Sequence, residues 1–183
     1  MKSLINLIIL CTVIACSTTP VKTPVSKEVN FTNDKKVKSF VNVTKYTNFT
    51  EEEKVKASKY IPLMDNVINS KCFEEFMIAR DLRKTNDKTN EEVVQHIRKS
   101  TVDIELIMYF KRFSKVAGYT EKGATWIKLN RKYHAGASFC SEASNLAHEL
   151  SHKINYGHDF KATIDRPLSV PYSINAAFKS CCK

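Results

Sequence analysis

The run His148-Glu149-Leu150-Ser151-His152, with His158 six residues further on, constrains this chain more than any other feature. On a helix, residues four apart share a face, so His148 and His152 present their imidazoles side by side. Three of the five histidines fall in this one stretch. Zinc favours such nitrogen ligands, and a site built for chemistry keeps three protein ligands and an open position. His158 is the natural third. On a straight helix it would stand roughly 15 Å from His148 along the axis, too far to share an ion. The chain must therefore leave the helix after His152 and fold back. Asn155 and Gly157 are the residue types there that permit it, because both tolerate positive φ. Leu146, Leu150 and Ile154 form the apolar stripe that anchors such a helix on a core. Glu149, beside a ligand, is placed to take a proton from an activated water. Asp159, next to His158, is placed either to orient an imidazole or to replace it as a ligand.

The pattern His148-Glu149-x-x-His152-x-x-Asn155-x-x-His158 resembles the elongated zinc-binding motif of the metzincin metallopeptidases, with Asn155 where most members carry Gly. The resemblance covers the region from about Ala143 to Tyr172. It implies a zinc-dependent endopeptidase acting on protein or peptide substrates, with one Zn2+ held by His148, His152 and His158 and with Glu149 handling the proton. The fold it implies is α+β: a small, helix-rich, zincin-like single domain with a small sheet and a zinc-binding active-site helix. One departure is plain. Metzincins place a Met-containing turn beneath the metal, whereas Met1, Met64, Met77 and Met108 all precede the motif here. Arg166-Pro167-Leu168-Ser169-Val170-Pro171-Tyr172 resembles that turn with Pro in place of Met, and small peptidases of bacteria and phages end in a similar Ser-Val-Pro-Tyr stretch. By the same resemblance, Tyr172 is the phenol that bonds a developing oxyanion or occupies a metal position at rest. Zinc peptidases of this type bind extended substrate along an edge strand. Thr125-Trp126-Ile127-Lys128-Leu129-Asn130 is the candidate, with an ordinary core strand as the alternative. Two other functions stand beside the endopeptidase: a zinc hydrolase acting on peptidoglycan peptides, and a binding lipoprotein that holds zinc without turnover. A carboxylate at Glu149 argues against the last, since a purely structural site needs none.

The N-terminus sets the compartment. After Lys2, the run from Leu4 to Ala15 carries no charge and is too short for a membrane span, which makes residues 1–15 a signal peptide. Val13-Ile14-Ala15-Cys16 resembles the lipobox of bacterial lipoproteins and implies cleavage before Cys16 and lipidation of that residue. Acyl chains then hold the product on the membrane without a spanning helix, as an exported protein, at the outer membrane if the cell is Gram-negative. Residues 16–35, rich in Thr, Pro, Ser and Lys, read as lipidated cysteine and flexible tether. Cys72, Cys140, Cys181 and Cys182 remain, and four cysteines in an exported protein suggest two disulfides. Adjacent Cys181 and Cys182 rarely bond to each other, so each is expected to reach Cys72 or Cys140, in either pairing.

Residues 36–183 suit one compact domain, expected as a monomer. Alternation over residues 37–46 suggests a first strand. Thr50-Glu51-Glu52-Glu53 is a capping box opening a helix toward Ser70, with Pro62 expected to kink or split it. Helices follow over residues 71–83 and, capped by Asn90, over 91–100. Residues 104–113 and 124–130 read as strands joined through Gly118 and Gly123, and residues 173–180 as a closing helix. His96 reads as a helix boundary residue and His134 as structural. The formal net charge of +10 comes from lysines mixed with acids. Without a basic stripe interleaved with aromatics, nucleic acid is excluded as a partner.

Overall fold

Local signals set the first helix. The Glu53 amide donates to Thr50 Oγ1 at 3.2 Å and the Thr50 amide donates to Glu53 Oε2 at 2.8 Å, a reciprocal cap that opens α1, Glu51–Ile68. This computed structural model describes residues 38–183, so the expected signal peptide, the expected lipidation at Cys16, the expected tether and Val37 lie outside the described residues. Pro62 does not split α1, which runs unbroken past it. Both Pro62 and Ser58, whose carbonyl loses its helical donor, are exposed, so water can satisfy the lost bond. The apolar face Ala57, Tyr60, Met64 and Ile68 meanwhile stays buried on both sides of the proline.

Before α1 lies strand β1, Val41–Thr47; after it come α2, Lys71–Ile78, and α3, Asn90–Lys99. The cap of α3 is Thr89, bonded reciprocally with Glu92, one residue earlier than the expected Asn90. Asn90 instead donates to the carbonyls of Ile78 and Arg80, closing the link back to α2. The chain continues through β2, Val102–Tyr109, β3, Gly118–Tyr119, β4, Trp126–Asn130, and a one-turn helix α4, Arg131–His134. Then follow α5, Phe139–Lys153, a 3-10 turn at Arg166–Leu168, and α6, Val170–Cys181.

These elements form an α+β domain of six helices and one four-stranded mixed sheet, ordered β1-β2-β4-β3. β1 and β4 flank β2 in parallel, and β3 runs antiparallel to β4. β4 is therefore interior, and the expectation that residues 125–130 form a substrate-binding edge is corrected. The edge belongs to β3, whose two residues carry no alternation pattern and owe their strand character to pairing. Ile104, Leu106, Met108, Ile127 and Leu129 are all buried, as are Leu146 and Leu150 of α5. Helix α5 packs between α1 and α6.

Two disulfides close the C-terminus. Cys181 bonds Cys72 at the start of α2, and Cys182 bonds Cys140 in the first turn of α5. Such bridges fit an oxidising compartment. Among the described residues no helix is long and apolar enough to cross a membrane.

Candidate metal centre

Helix α5 begins at Ser138, whose hydroxyl accepts from the Ser141 amide at 3.2 Å. Its last turn delivers the motif. Asn155 takes φ 71°, the Tyr156 amide donates to the Ser151 carbonyl at 3.0 Å and the Asn155 amide to the His152 carbonyl at 3.3 Å. This pair of bonds around a left-handed residue is a Schellman stop. Asn155 alone provides it, because positive φ is confined there and does not extend to Gly157. Tyr156 then enters the core, its hydroxyl 2.9 Å from His96 Nδ1, and Asn86 donates to the Asn155 carbonyl at 2.9 Å. So pinned, the chain reverses and brings His158 back over the helix.

His148, His152 and His158 converge. One ligating nitrogen from each lies within 4.8 Å of the other two, and together they form a group able to hold a metal ion. Ring centroids stand 4.9 to 5.3 Å apart. Nδ1 of His152 lies 2.8 Å from the Tyr156 carbonyl and that of His158 3.1 Å from the Asp159 carbonyl, while that of His148 lies 3.0 Å from the side-chain Nδ2 of Asn175. The carbonyl acceptors at Nδ1 leave Nε2 of His152 and His158 as their ligand atoms, and His148 offers one ring nitrogen to the same group. Burial, with the neighbouring imidazoles adding to it, pushes His148 down to about 3, and burial also lowers His152. Both rings are therefore neutral, with lone pairs ready for a metal rather than a proton. The donor set suits a divalent ion that accepts imidazole nitrogen.

Asp159 is not a substitute ligand. Its carboxylate pairs with Lys84 at 2.6 Å and accepts from Thr163 at 2.6 Å, and only its backbone carbonyl faces the His158 ring. Glu149 is buried beside the imidazoles, and that burial, opposed by Lys153, pushes its carboxyl up to about 7. A base poised there is half-ionised at neutral pH and suited to accept and return a proton. Gly118 allows the rim to sit close: a Cβ there would stand 3.3 Å from Glu149 Cγ and 3.0 Å from Asn145 Nδ2.

Comparison with known families, curated proteins and solved structures gives no match for this chain. Its site is thus read from its own geometry.

The three histidines, Glu149 and Tyr172 share one cleft of about 840 Å3, lined also by residues 115–122, which include β3, and by Phe160 and Arg166. The Ser-Val-Pro-Tyr stretch is the first turn of α6, with Ser169 as its cap and Pro171 in the position where a missing amide costs nothing. That places the Tyr172 ring edge-on to His148 at 5.0 Å and against His158 at 4.9 Å. Its hydroxyl accepts from Arg166 Nε at 3.0 Å and Nη2 at 2.6 Å. Arg166, Asn175, Asn145 and Gly118 all border the site, and sequence reading assigned none of them a role there. Only Arg166 and Gly118 carried a sequence signal, through the turn-like stretch and the loop between strands. His134 stands apart, buried with Nδ1 2.8 Å from Glu142 Oε2, as its structural reading required.

Proposed function

We propose that this protein is an extracytoplasmic zinc metalloendopeptidase of metzincin-like type, tethered to a membrane through lipidated Cys16. The observation that carries the reading is the convergence of one ring nitrogen from each of three histidines beside a buried Glu149 in an open cleft. A structural metal site needs neither the cleft nor the carboxylate.

Zinc bound by the three imidazoles supplies a Lewis acid that acidifies water and polarises a carbonyl. Glu149 takes the proton of the attacking water as the new C–O bond forms and then returns it to the amine nitrogen, whose protonation lets the peptide C–N bond break. The Tyr172 hydroxyl donates to the oxygen that gains charge. The free edge of β3 offers backbone groups for an extended substrate chain, replacing the assignment of that role to residues 125–130. Two disulfides favour an oxidising compartment, which supports export.

The test is Glu149→Gln. Wild-type protein loaded with zinc is expected to cleave members of a broad peptide library. Glu149→Gln should bind one equivalent of zinc with unchanged affinity and lose activity by at least about a hundredfold. Cleavage confined to muropeptides would move the reading to a cell-wall hydrolase. Zinc binding without turnover on either substrate would reduce the protein to a metal-holding binder.

A further inference from the structure

The rim at residues 115–122 begins and ends in lysine. Lys115 and Lys122 are exposed, both line the cleft, and neither has an ion-pair or hydrogen-bond partner among the described residues. The cleft is lined by three cations, Lys115, Lys122 and Arg166, against two acids, Glu121 and Glu149. Glu121 accepts from Lys153 Nζ at 3.0 Å through its backbone carbonyl, and its carboxylate makes no ion pair among the described residues. Glu149 is buried, whereas Lys115 and Lys122 reach solvent. Arg166 is committed to the Tyr172 hydroxyl and the Phe160 carbonyl, yet its charge still adds to the field. Lys84 is the one cation by the motif that is neutralised, by Asp159. Between the two lysines the walls change character. Val116 is 47% exposed on the rim and Phe160, which also lines the cleft, is 97% exposed. A cleft with apolar walls and lysines at both ends of one rim selects for the opposite pattern.

We infer that the preferred occupant is an acidic polypeptide segment in extended form, with bulky apolar residues at its centre and carboxylates toward each end, met by Lys115 and Lys122. This specificity rests on the peptidase reading for its purpose, but its binding can be measured without catalysis. Low-dielectric walls focus such a field, which raises both affinity and the rate of encounter. Each lysine is solvent-exposed, so one contact should contribute up to about fivefold in affinity, reduced by salt.

The experiment uses full-length Glu149→Gln loaded with zinc and two fluorescent peptides of identical apolar centre, one flanked by glutamates and one by lysines. Anisotropy titration at low salt should show the glutamate peptide binding on the order of tenfold tighter, the gap narrowing at high salt. Lys115→Glu/Lys122→Glu should abolish or invert that preference. Lys71→Glu/Lys99→Glu, the same charge change on exposed sites away from the cleft, should leave it nearly intact. Equal binding of both peptides, binding of neither, or an equal loss in the two double variants would overturn the inference. Wild-type digestion separates the two readings. Cleavage of both peptides at equal rates, with equal binding, retains the peptidase and removes the acidic preference. Preferential binding through Lys115 and Lys122 with no cleavage does the reverse.

Discussion

On the proposed reading, Tyr172 offers a substrate a single hydrogen. Arg166 donates twice to its hydroxyl oxygen, filling both lone pairs, so the O–H remains as a donor and nothing else. The ring, held edge-on against His148 and His158, has little freedom to turn that donor away. Arg166 is then a positioning residue that acts through the phenol. Tyr172→Phe is expected to lower kcat about a hundredfold on an uncharged peptide, the size of losing one preorganised oxyanion donor. Zinc affinity should barely change, since the phenyl ring keeps its packing. Arg166→Met should lower kcat by a smaller factor, and the double variant should be no worse than Tyr172→Phe alone, because both act on one hydroxyl. Steady-state kinetics of the three variants, alongside zinc titration, decide the matter. Additive losses would instead give the guanidinium its own contact with substrate.

At the scale of elements, the turn between α5 and His158 is where sequence and structure meet most closely. Ligands at positions 148 and 152 were legible because helix periodicity is local, and the need for a reversal followed from the length of a straight helix. Which residue made the turn was less so: Asn155 and Gly157 were equal candidates by type, and only the Schellman bonds assign the positive φ to Asn155. Asn155→Gly should therefore be neutral within about 0.5 kcal/mol, while Asn155→Val, forced left-handed, should cost about 1–2 kcal/mol and displace His158. Thermal melts with and without zinc check this, since the valine variant should also lose most of the metal's stabilising increment. Strand β3 was illegible for the opposite reason. Gly118 and Tyr119 have no pattern of their own, and the interior position of β4 follows from long-range pairing. The Asn175 contact to His148 spans 27 residues and two helices, beyond any local signal. Gly118→Ala gives β3 its own test. The added methyl would press on Asn145 and Glu149, so kcat/KM should fall about tenfold while the melting temperature moves by only a few degrees. An unchanged kcat/KM would mean that the rim does not hold the base in place.

For the molecule as a whole, the placement of α6 ties compartment to chemistry. One end of this helix brings Tyr172 and Asn175 to the histidines, and the other is held by both disulfides. The bridges differ in what they hold. Cys72–Cys181 spans 109 residues and fastens α6 to α2, whereas Cys140–Cys182 spans 42 and fastens it to α5, the helix that carries the ligands. Chain-entropy estimates give the longer loop about 5 kcal/mol and the shorter about 4 kcal/mol, before any native-state strain. Stability and metal binding should therefore separate between the two. Replacing Cys72 and Cys181 by Ala should produce the larger drop in melting temperature, with zinc affinity little changed. Replacing Cys140 and Cys182 by Ala should cost less stability but weaken zinc by about tenfold or more, because the Asn175 contact that orients His148 depends on the α5–α6 register. Thermal unfolding at fixed zinc and competitive zinc titration read the two effects independently. If zinc affinity is the same in both variants and in wild type, side-chain packing between α5 and α6 fixes that register unaided. If it falls as expected, a reduced chain is a poor zinc binder, and the metal centre matures only after the bridges close in an oxidising compartment.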